Sequence, residues 1–521
     1  MELKFVHIIG PVLVIVAFLF WGKGMVNRER GKQFRPLPAI LLMAVAILFN
    51  VFLPEACVVD VVPLGENDSF WGLFFDRVTT ALLNFGIGLL IDAGYLSHHK
   101  QQAKIYWVPG LIALILSGVI YLFGKGLDVL LDKLKGNDKQ VEMLLEIGPD
   151  DTISELDATL KKYHASYEKA FPEVDLTEDA DLAQYYLVSV GEHYAVPLKV
   201  ELTANAENVD NIEPNTVVKL DDPQPSKANF EATVSYKAND PYLKNQWFAE
   251  KLEYDKIYEL LSSISPKKKA KVAILDTGVD SKHEDLGETF GKSPANSDFH
   301  GHGTHCAALA AAATNNKIGV GSMNWEGKFL EVWGYAALSE NGSGTHEQIA
   351  QVIINATDDG ADVISMSLGG FSPFGAPKVM SDAVKYALKK KVIVLAAAGN
   401  SNQDAIRYSP ANIEGVISVA AVDENFRKAT FSNTNTSLKM PIASPGVNIL
   451  SATPGNSYQS WNGTSMATPI AAGLVGILRS LQPEITATEA YQVLESTAKV
   501  GADSRKVGKV LQPLAAIEKV K

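Results

Sequence analysis

Three short blocks of the sequence each hold one residue type needed for nucleophilic catalysis. Asp276 follows the apolar run 271–275, His302 is flanked by two glycines, and Ser465 follows a Gly-Thr pair. A serine hydroxyl is a weak nucleophile, so a histidine must take its proton and a carboxylate must hold that histidine in the required tautomer. Each block alone is weak evidence, since an isolated aspartate at a strand end is usually a helix cap. The three together predict covalent catalysis by serine.

The chain order Asp276, His302, Ser465 resembles that of the subtilisin family of serine proteases. The resemblance covers residues 239–521, because further blocks match in the same order. One of them, Ala-Ala-Ala-Gly-Asn at 396–400, resembles the oxyanion-hole segment of the family. The resemblance implies a serine peptidase whose triad is these three residues and whose oxyanion hole includes the amide of Asn400.

Two more segments, 341–344 and 365–370, resemble the strands with which the family binds an extended substrate backbone. By that resemblance the substrate-binding residues are Gly342, Ser343, Gly344, Ser367, Leu368 and Gly369. Protein and peptide substrates are therefore the expected partners.

The sequence departs from the family pattern at 307–309 and at Ile470, but neither change removes a chemical group from the mechanism. Cys306 resembles the free cysteine of proteinase K-like members. We interpret it as a small buried apolar residue, with a redox role as the alternative.

The loop 314–320 resembles the high-affinity calcium loop of the family. Calcium takes six to eight oxygen ligands, which carboxylates, a side-chain amide and backbone carbonyls can supply. The expected ligands are Asp240, Asp285, Thr314, Asn316, Ile318 and Val320. The alternative interpretation is an ordinary asparagine-rich turn.

Length and charge limit the other interpretations. A chain of 521 residues exceeds what one hydrophobic core supports, so two or more domains are expected. The net charge of −12 argues against nucleic acid as a partner. The only two cysteines, Cys57 and Cys306, fall in segments that read as different domains, so no disulfide framework is expected.

From residue 239 onward, short apolar runs alternate with helical patterns rich in small residues. The runs are 271–275, 363–366, 392–397 and 416–422. This alternation predicts an α/β domain with a doubly wound parallel sheet, as the resemblance also implies. In such a fold the catalytic groups gather at the carboxyl ends of the strands.

Residues 139–220 predict a small α+β module. The expected strands and helices are 141–147, 153–171 (helix), 185–190, 196–206 (helix) and 216–220. Element order and the stretch 207–214 resemble the family's propeptide, which implies an inhibitor of the active site; a generic spacer is the alternative. The polar segment 221–238 predicts an exposed linker, and we expect the protease to cut its own chain there.

Residues 1–130 carry apolar runs of membrane-spanning length at 5–21, 37–53 and 105–123. A fourth run, 78–96, contains Asp92 and either crosses the membrane or lies at its surface. The basic connector 23–35 is expected in the cytoplasm. Four spans then leave the peptidase domain outside the cytoplasm, whereas three spans reverse this. The lipid bilayer is thus an expected partner of a multi-pass protein.

Two other functions compete with a membrane-anchored serine endopeptidase. A catalytically inactive scaffold would lack a triad or oxyanion residue, and none is missing from the sequence. A channel or transporter formed by the amino-terminal segment would use the charged residues Asp76, Arg77 and Asp92.

Overall fold

The computed structural model describes residues 139–204, 207–220, 224–226, 235–292, 294 and 296–521. The predicted spans at 5–21, 37–53, 78–96 and 105–123 lie outside these residues and stay predictions. Among the described residues, one helix, Thr464–Leu481, has the length and hydropathy of a membrane span, and it is wholly buried in the protein.

Residues 140–220 form an antiparallel sheet with helices on one face, here called the amino-terminal module. Its strands and helices are β1 (Gln140–Ile147), α1 (Asp157–Lys162), β2 (Ser166–Lys169), α2 (Ala180–Ala183), β3 (Tyr185–Gly191), α3 (Glu192–Ala204) and β4 (Val209–Pro214). The strand order is β2-β3-β1-β4. Side chains alternate along β1, so Met143 and Leu145 pack with α1 and α3 while Leu144 faces the other way.

The predicted helix 153–171 is wrong in its second half. A 3-10 turn at Ile153–Leu156 leads into α1, which ends at Lys162. His164 then adopts a left-handed backbone with φ 54°, and Ser166–Lys169 pairs with β3 instead of continuing the helix. Pairing with β3 therefore outweighs the local helical propensity of Ser166–Lys169.

Two short strands follow the module, β5 (Val217–Lys219) and β6 (Gln224–Ser226). Within the predicted exposed linker 221–238, Gln224–Ser226 forms a strand, which the sequence pattern did not indicate. Three residues are too few to show a strand period, and it is the partner strand that orders them.

The peptidase domain, 239–521, is built on seven parallel strands. Its strands are β7 (Ala270–Asp276), β8 (Leu330–Ala336), β9 (Ser343–Thr345), β10 (Val363–Met366), β11 (Gly370–Phe371), β12 (Ile393–Ala397), β13 (Tyr408–Ser409), β14 (Ile417–Val422), β15 (Pro441–Pro445), β16 (Ile449–Thr453), β17 (Ser457–Asn462) and β18 (Lys509–Val510). The central sheet has the order β18-β15-β14-β12-β10-β7-β8, which confirms the predicted parallel α/β architecture.

Helices cover both faces of this sheet. They are α4 (Trp247–Lys251), α5 (Tyr254–Ser263), α6 (His302–Ala311), α7 (His346–Asp358), α8 (Lys378–Lys389), α9 (Thr464–Leu481), α10 (Ala487–Thr497), α11 (Ser504–Val507) and α12 (Pro513–Val520). Helices α6 and α9 pack on one face with Val272 and Ile274 of β7. Helices α7 and α8 pack on the other with Ala273 and Leu275. Burial on both faces explains why the strands are apolar throughout.

Candidate active site

The predicted triad residues come from three elements that meet at the carboxyl edge of the sheet. Asp276 ends β7, His302 begins α6, and Ser465 is the second residue of α9. Helix α6 approaches β7 closely because residue 303 is glycine. A Cβ on Gly303 would lie 2.0 Å from the carbonyl oxygen of Gly278.

Asp276 and His302 form a buried pair. His302 Nδ1 lies 2.7 Å from Asp276 Oδ1, and the two side chains are 0–2 % exposed. Burial disfavours the imidazolium, but the neighbouring carboxylate outweighs that effect and raises the pKa of His302 well above its usual value. The pairing at Nδ1 leaves Nε2 as the nitrogen that can act as a base.

A second histidine on α6 has a different environment. His305 Nε2 lies 3.1 Å from the carbonyl oxygen of Gln459, and its ring stacks on Trp461 with centroids 4.4 Å apart. Burial lowers the pKa of His305 to about 3, and the nearby His302 adds to this shift. His305 therefore stays neutral and serves packing.

Ser465 and His302 both lie beside the thiol of Cys306. Cys306 Sγ lies 3.9 Å from His302 Nδ1 and 3.5 Å from the carbonyl oxygen of Ser465. Ser465 Oγ donates to the carbonyl oxygen of Ser367 at 3.1 Å, and among the described residues it forms no hydrogen bond with His302 Nε2. Bonds between nucleophile and base are often long until substrate binds.

The thiol of Cys306 is fully buried, and burial raises its pKa. A neutral thiol in this position packs as an apolar group, which agrees with the interpretation of Cys306 as a small core residue.

Asn400 is held in one orientation beside the serine. Its Oδ1 accepts from the backbone N–H and from the hydroxyl of Thr464, both at 2.9 Å. The amide nitrogen of Asn400 is then the end that can donate to a ligand. Because Thr464 precedes Ser465 at the start of α9, Asn400 and the Ser465 backbone N–H belong to one connected unit.

One predicted substrate strand is occupied by the chain itself. Val217–Lys219 pairs antiparallel with Ser343–Thr345, and Val218 lies opposite Gly344. The backbone N–H of Leu220 donates to the carbonyl oxygen of Gly342 at 2.8 Å. The structure therefore brings Gly342, Ser343 and Gly344 together as a strand that accepts an extended backbone.

The second predicted segment, Ser367, Leu368 and Gly369, directly follows β10 and lies beside Ser465. Leu368 is buried, and a Cβ on Gly370, the residue after this segment, would lie 3.7 Å from a methyl group of Val218. Val218 is thus enclosed between the two predicted substrate segments.

The chain also covers the edge of β17, which leads into α9. Gln224–Ser226 pairs antiparallel with Ser460–Asn462, so β6 lies on the strand that leads into the helix of Ser465. The sequence pattern did not indicate β6.

The predicted calcium ligands gather around one loop. Asp240 accepts from the backbone N–H groups of Asn315 and Asn316, and Asp285 accepts from Val320 N at 2.7 Å and Asn316 Nδ2 at 3.4 Å. Thr314 and Ile318 lie in the same loop, although the Thr314 carbonyl accepts from Glu326 N.

The charge of this cluster fits a cation. Asp240 and Asp285 are both buried, and among the described residues neither forms an ion pair with lysine or arginine. Burial raises the pKa of Asp240 and raises that of Asp285 to about 8. Two desolvated carboxylates facing an oxygen-rich loop suit calcium.

Sequence reasoning missed two side chains of the module that contact the peptidase domain. Both Oε atoms of Glu213 accept from the first backbone N–H groups of α8, those of Lys378 and Val379, at 2.9 Å. Asn215 Oδ1 accepts from Glu347 N in the first turn of α7 at 3.1 Å. Glu213 lies in the stretch 207–214, whose composition indicated the module without indicating this contact.

Comparison with known proteins identifies the family of the peptidase domain. A profile of the subtilase family matches residues 267–510. Thermitase of Thermoactinomyces vulgaris is 40% identical over 256 residues, which are 47% of this chain and 86% of thermitase. Subtilisin DY of Bacillus licheniformis is 39% identical over 252 residues, 46% of this chain and 88% of the subtilisin.

A thermophilic serine proteinase of a Bacillus species is 37% identical over 294 residues, which are 54% of this chain and 70% of that proteinase. These matches span most of each relative. The chain therefore belongs to the subtilase family and is a serine-type endopeptidase.

Proposed function

We propose that this endopeptidase is anchored in a membrane by residues 1–130, is held inactive by its amino-terminal module, and is released by its own cut between Leu220 and Gln224. In this proposal Asp276, His302 and Ser465 are the catalytic triad. The observation that carries the proposal is that β5 pairs with β9, a predicted substrate strand, while β6 pairs with β17, the strand that leads into the helix of Ser465.

The catalytic steps follow from the arrangement of the side chains. Ser465 Oγ attacks the carbonyl carbon of the scissile bond while His302 Nε2 takes its proton, and the Asp276 carboxylate stabilises the imidazolium. The Asn400 amide and the Ser465 backbone N–H stabilise the oxyanion. His302 then gives the proton to the leaving amine, and water hydrolyses the acyl-enzyme by the same route.

The position of β5 and β6 supports a cut within a short interval. Leu220 is bonded to Gly342, and Gln224 is paired with Asn462, three residues before Ser465. Four residue steps reach at most about 14 Å, so the chain between these two anchors has little freedom to avoid the nucleophile. Tethering also gives this segment an effective concentration on the order of millimolar.

The module is suited to stay bound to the peptidase domain as an inhibitor, because its side chains accept hydrogen bonds from the first N–H groups of two peptidase helices. Pro377 precedes α8 and offers no side-chain cap, so Glu213 supplies the acceptor for the first N–H groups. Helix α7 has its own capping box of Thr345 and Gln348, and Asn215 adds an acceptor for the backbone N–H of Glu347. Each cap is worth about 0.5–2 kcal/mol, and a carboxylate also favours the positive end of a helix.

A buried ionic cluster adds to the contact between module and peptidase domain. Lys378 Nζ lies 2.5 Å from Glu146 and 2.8 Å from Asp382, and the Tyr185 hydroxyl donates to Asp382 at 3.0 Å. Glu146 and Tyr185 belong to the module. Removing one member leaves a buried charge uncompensated, so the cluster favours one docked arrangement.

We further propose that the cluster of Asp240 and Asp285 holds a structural calcium ion, with Asn316 and carbonyl oxygens of Thr314, Ile318 and Val320 completing the site. Bound there, calcium would offset the charge of two buried carboxylates. Its contribution is to stability, and no catalytic step passes through it.

The membrane anchor rests on the apolar runs within 1–130, and we propose that they leave the peptidase domain outside the cytoplasm. A reporter fused after Lys139 should then read extracytoplasmic, and one placed within residues 23–35 cytoplasmic. Both reporters on one side would mean that 78–96 does not cross. Flux through reconstituted membranes would instead favour a channel, for which only Asp76, Arg77 and Asp92 argue.

Self-processing is tested by expressing the full chain and its Ser465→Ala form in membranes. The native form should yield a soluble fragment that begins between Asp221 and Gln224, and the Ser465→Ala form should stay full length. If both are cut alike, another protease performs the release. If neither is cut, the module is a permanent part of the enzyme.

A further inference from the structure

We propose that Asn433 is a positioning residue for the oxyanion hole: its side chain fixes the backbone of the loop 398–403 and thereby sets the direction of the Asn400 amide. The inference rests on the proposed function, because it takes Asn400 as a donor to the oxyanion. It extends the set of residues that determine kcat to a fully buried side chain outside the triad and the oxyanion hole.

The loop 398–403 follows the end of β12 and has no regular secondary structure of its own. Gly399 has a φ of 99°, and Asn402 has a left-handed backbone with φ 53°. These two residues lie on either side of Asn400 and interrupt any helix or strand, so the polar backbone groups of the loop must find partners elsewhere. The position of Asn400 therefore depends on the residues that surround the loop.

The side chain of Asn433 bonds to this loop on both sides of Asn400. Its Oδ1 accepts from the backbone N–H groups of Ser401 at 3.1 Å and Gln403 at 2.8 Å. Its Nδ2 donates to the carbonyl oxygen of Ala398 at 2.8 Å. A carboxamide combines an acceptor oxygen and a donor nitrogen, and this arrangement uses both. An alanine at this position would make none of the three bonds.

The loop is in close contact with Asn433 on one side and with Thr464 on the other. A Cβ on Gly399 would lie 2.5 Å from Asn433 Nδ2, and the backbone N–H of Asn433 donates to the carbonyl oxygen of Gly399 at 2.9 Å. The Thr464 hydroxyl accepts from Gly399 N at 3.2 Å and donates to Asn400 Oδ1. Asn433 thus restrains the backbone of the loop, Thr464 restrains the side chain of Asn400, and together they fix the direction of its amide nitrogen.

A restraint on Asn400 should affect the transition state more than the bound substrate. An oxyanion donor lowers the barrier only where its N–H reaches the charge that develops during the reaction. A misplacement of about 1 Å can cost on the order of 10²-fold in rate. Loss of the Asn433 side chain should therefore lower kcat and leave KM nearly unchanged, and it should do so only while Asn400 is present.

The test is a double-mutant cycle of Asn433→Ala and Asn400→Ala, with kcat and KM measured for one peptide substrate. A second variant, Asn433→Asp, keeps an acceptor for the two N–H groups and loses only the donor. Asn435→Ala is the matched control. Asn435 is buried in the same segment, but its side chain bonds to Ser418 of β14 instead of to the loop.

Every form is expressed as the full chain and treated with immobilised native enzyme, which cuts the junction where self-processing is slow and is then removed. The Ser465→Ala form, treated in the same way, is the blank. Thermal unfolding shows whether each variant is folded. If the Asn433→Ala form does not fold, the cycle is measured with Asn433→Asp.

We expect Asn433→Ala to lower kcat about 10- to 100-fold and Asn433→Asp about 3- to 10-fold, each with KM within about twofold of the native value. In the Asn400→Ala background, either substitution should lower kcat by less than about twofold. Asn435→Ala should lower the Tm and keep kcat within about twofold.

A kcat loss of the same size in both backgrounds, or a native kcat in a folded Asn433→Ala form, would overturn the positioning role and leave the protease intact. An unchanged kcat for Asn400→Ala alone, or native activity in the Ser465→Ala blank, would instead overturn the proposed function.

Discussion

The peptidase domain and the amino-terminal module differ in how each buries its sheet. The seven-stranded sheet has helices of its own domain on both faces. The module covers one face of its sheet with its own helices α1 and α3. On the other side Leu144, Phe171 and Tyr185 pack in the same hydrophobic cluster as residues of α7 and α8. A domain of about 80 residues with one small core is only marginally stable.

This difference assigns separate tasks to the two regions. In the proposed mechanism the peptidase domain holds its triad without the module, because Asp276, His302 and Ser465 lie on its own buried elements β7, α6 and α9. Because the module buries one face of its sheet against the peptidase domain, we expect it to be less stable once the two are separated. Substitutions in the peptidase domain should change the rate of catalysis, and those in the module should change how readily substrate reaches the active site.

The largest effect is expected at the proposed base. His302→Ala should lower kcat on the order of 10⁶-fold, as losing either the serine or the histidine does in a subtilisin, because the three residues act as a unit. The control is His305→Gln on the same helix, which should keep kcat within about tenfold. The measurement is peptide hydrolysis by matched, folded samples. Similar losses for both variants would contradict a catalytic role specific to His302.

The second-largest loss of kcat is expected in the proposed oxyanion hole. Asn400→Ala removes one donor aimed at the developing charge and should lower kcat by about 10²–10³-fold with little change in KM. Gln403→Ala, which alters an exposed amide three residues away, is the control and should leave kcat unchanged. A defect confined to KM would mean that Asn400 binds the substrate rather than the transition state.

The module's hold on the peptidase domain should weaken when a helix cap is neutralised. Glu213→Gln should raise the dissociation constant of the cleaved module about 5- to 30-fold, because it loses charge-assisted bonds to α8. The lag between cleavage and appearance of activity should shorten accordingly. Glu207→Gln, an exposed residue of the same module, should leave the lag as it was.

Calcium should have the smallest effect on catalysis and a clear effect on stability. A ligand present at 100 times its dissociation constant adds about 2.7 kcal/mol, so chelation should lower the Tm of the peptidase domain by about 5–10 °C. Asp285→Asn should show a low Tm that no longer responds to a chelator. Glu288→Gln, an exposed neighbour, should respond like the native chain. A Tm that ignores calcium in the native protein would remove the site.

The sequence predicted the peptidase domain well because its chemistry is local. A few neighbouring residues are enough to indicate the strand that ends at Asp276, the turn before His302 and the helix start at Ser465. The structure places all three residues at the carboxyl edge of the sheet. The strands 363–366 and 416–422 were also correct to within a residue. Their apolar character follows from burial on both faces.

The module and its junction were harder to predict because partners distant in sequence order them. Ser166–Lys169 forms a strand only because β3 lies beside it, and Gln224–Ser226 only because β17 offers an edge. Glu213 reads as an ordinary acidic residue until α8 is placed against it. Such contacts produce no hydrophobic periodicity in the sequence, so a single sequence does not reveal them.

We propose that Ser465 of the peptidase domain is the nucleophile and that the docked strands Val217–Lys219 and Gln224–Ser226 restrain it. The most direct measurement is labelling of the full chain with a fluorophosphonate, followed by mass spectrometry of the labelled peptide at successive stages of processing. We expect a single label on Ser465 that appears only after the chain is cut between Leu220 and Gln224. A label on another residue, or full labelling of the uncut chain, would contradict it.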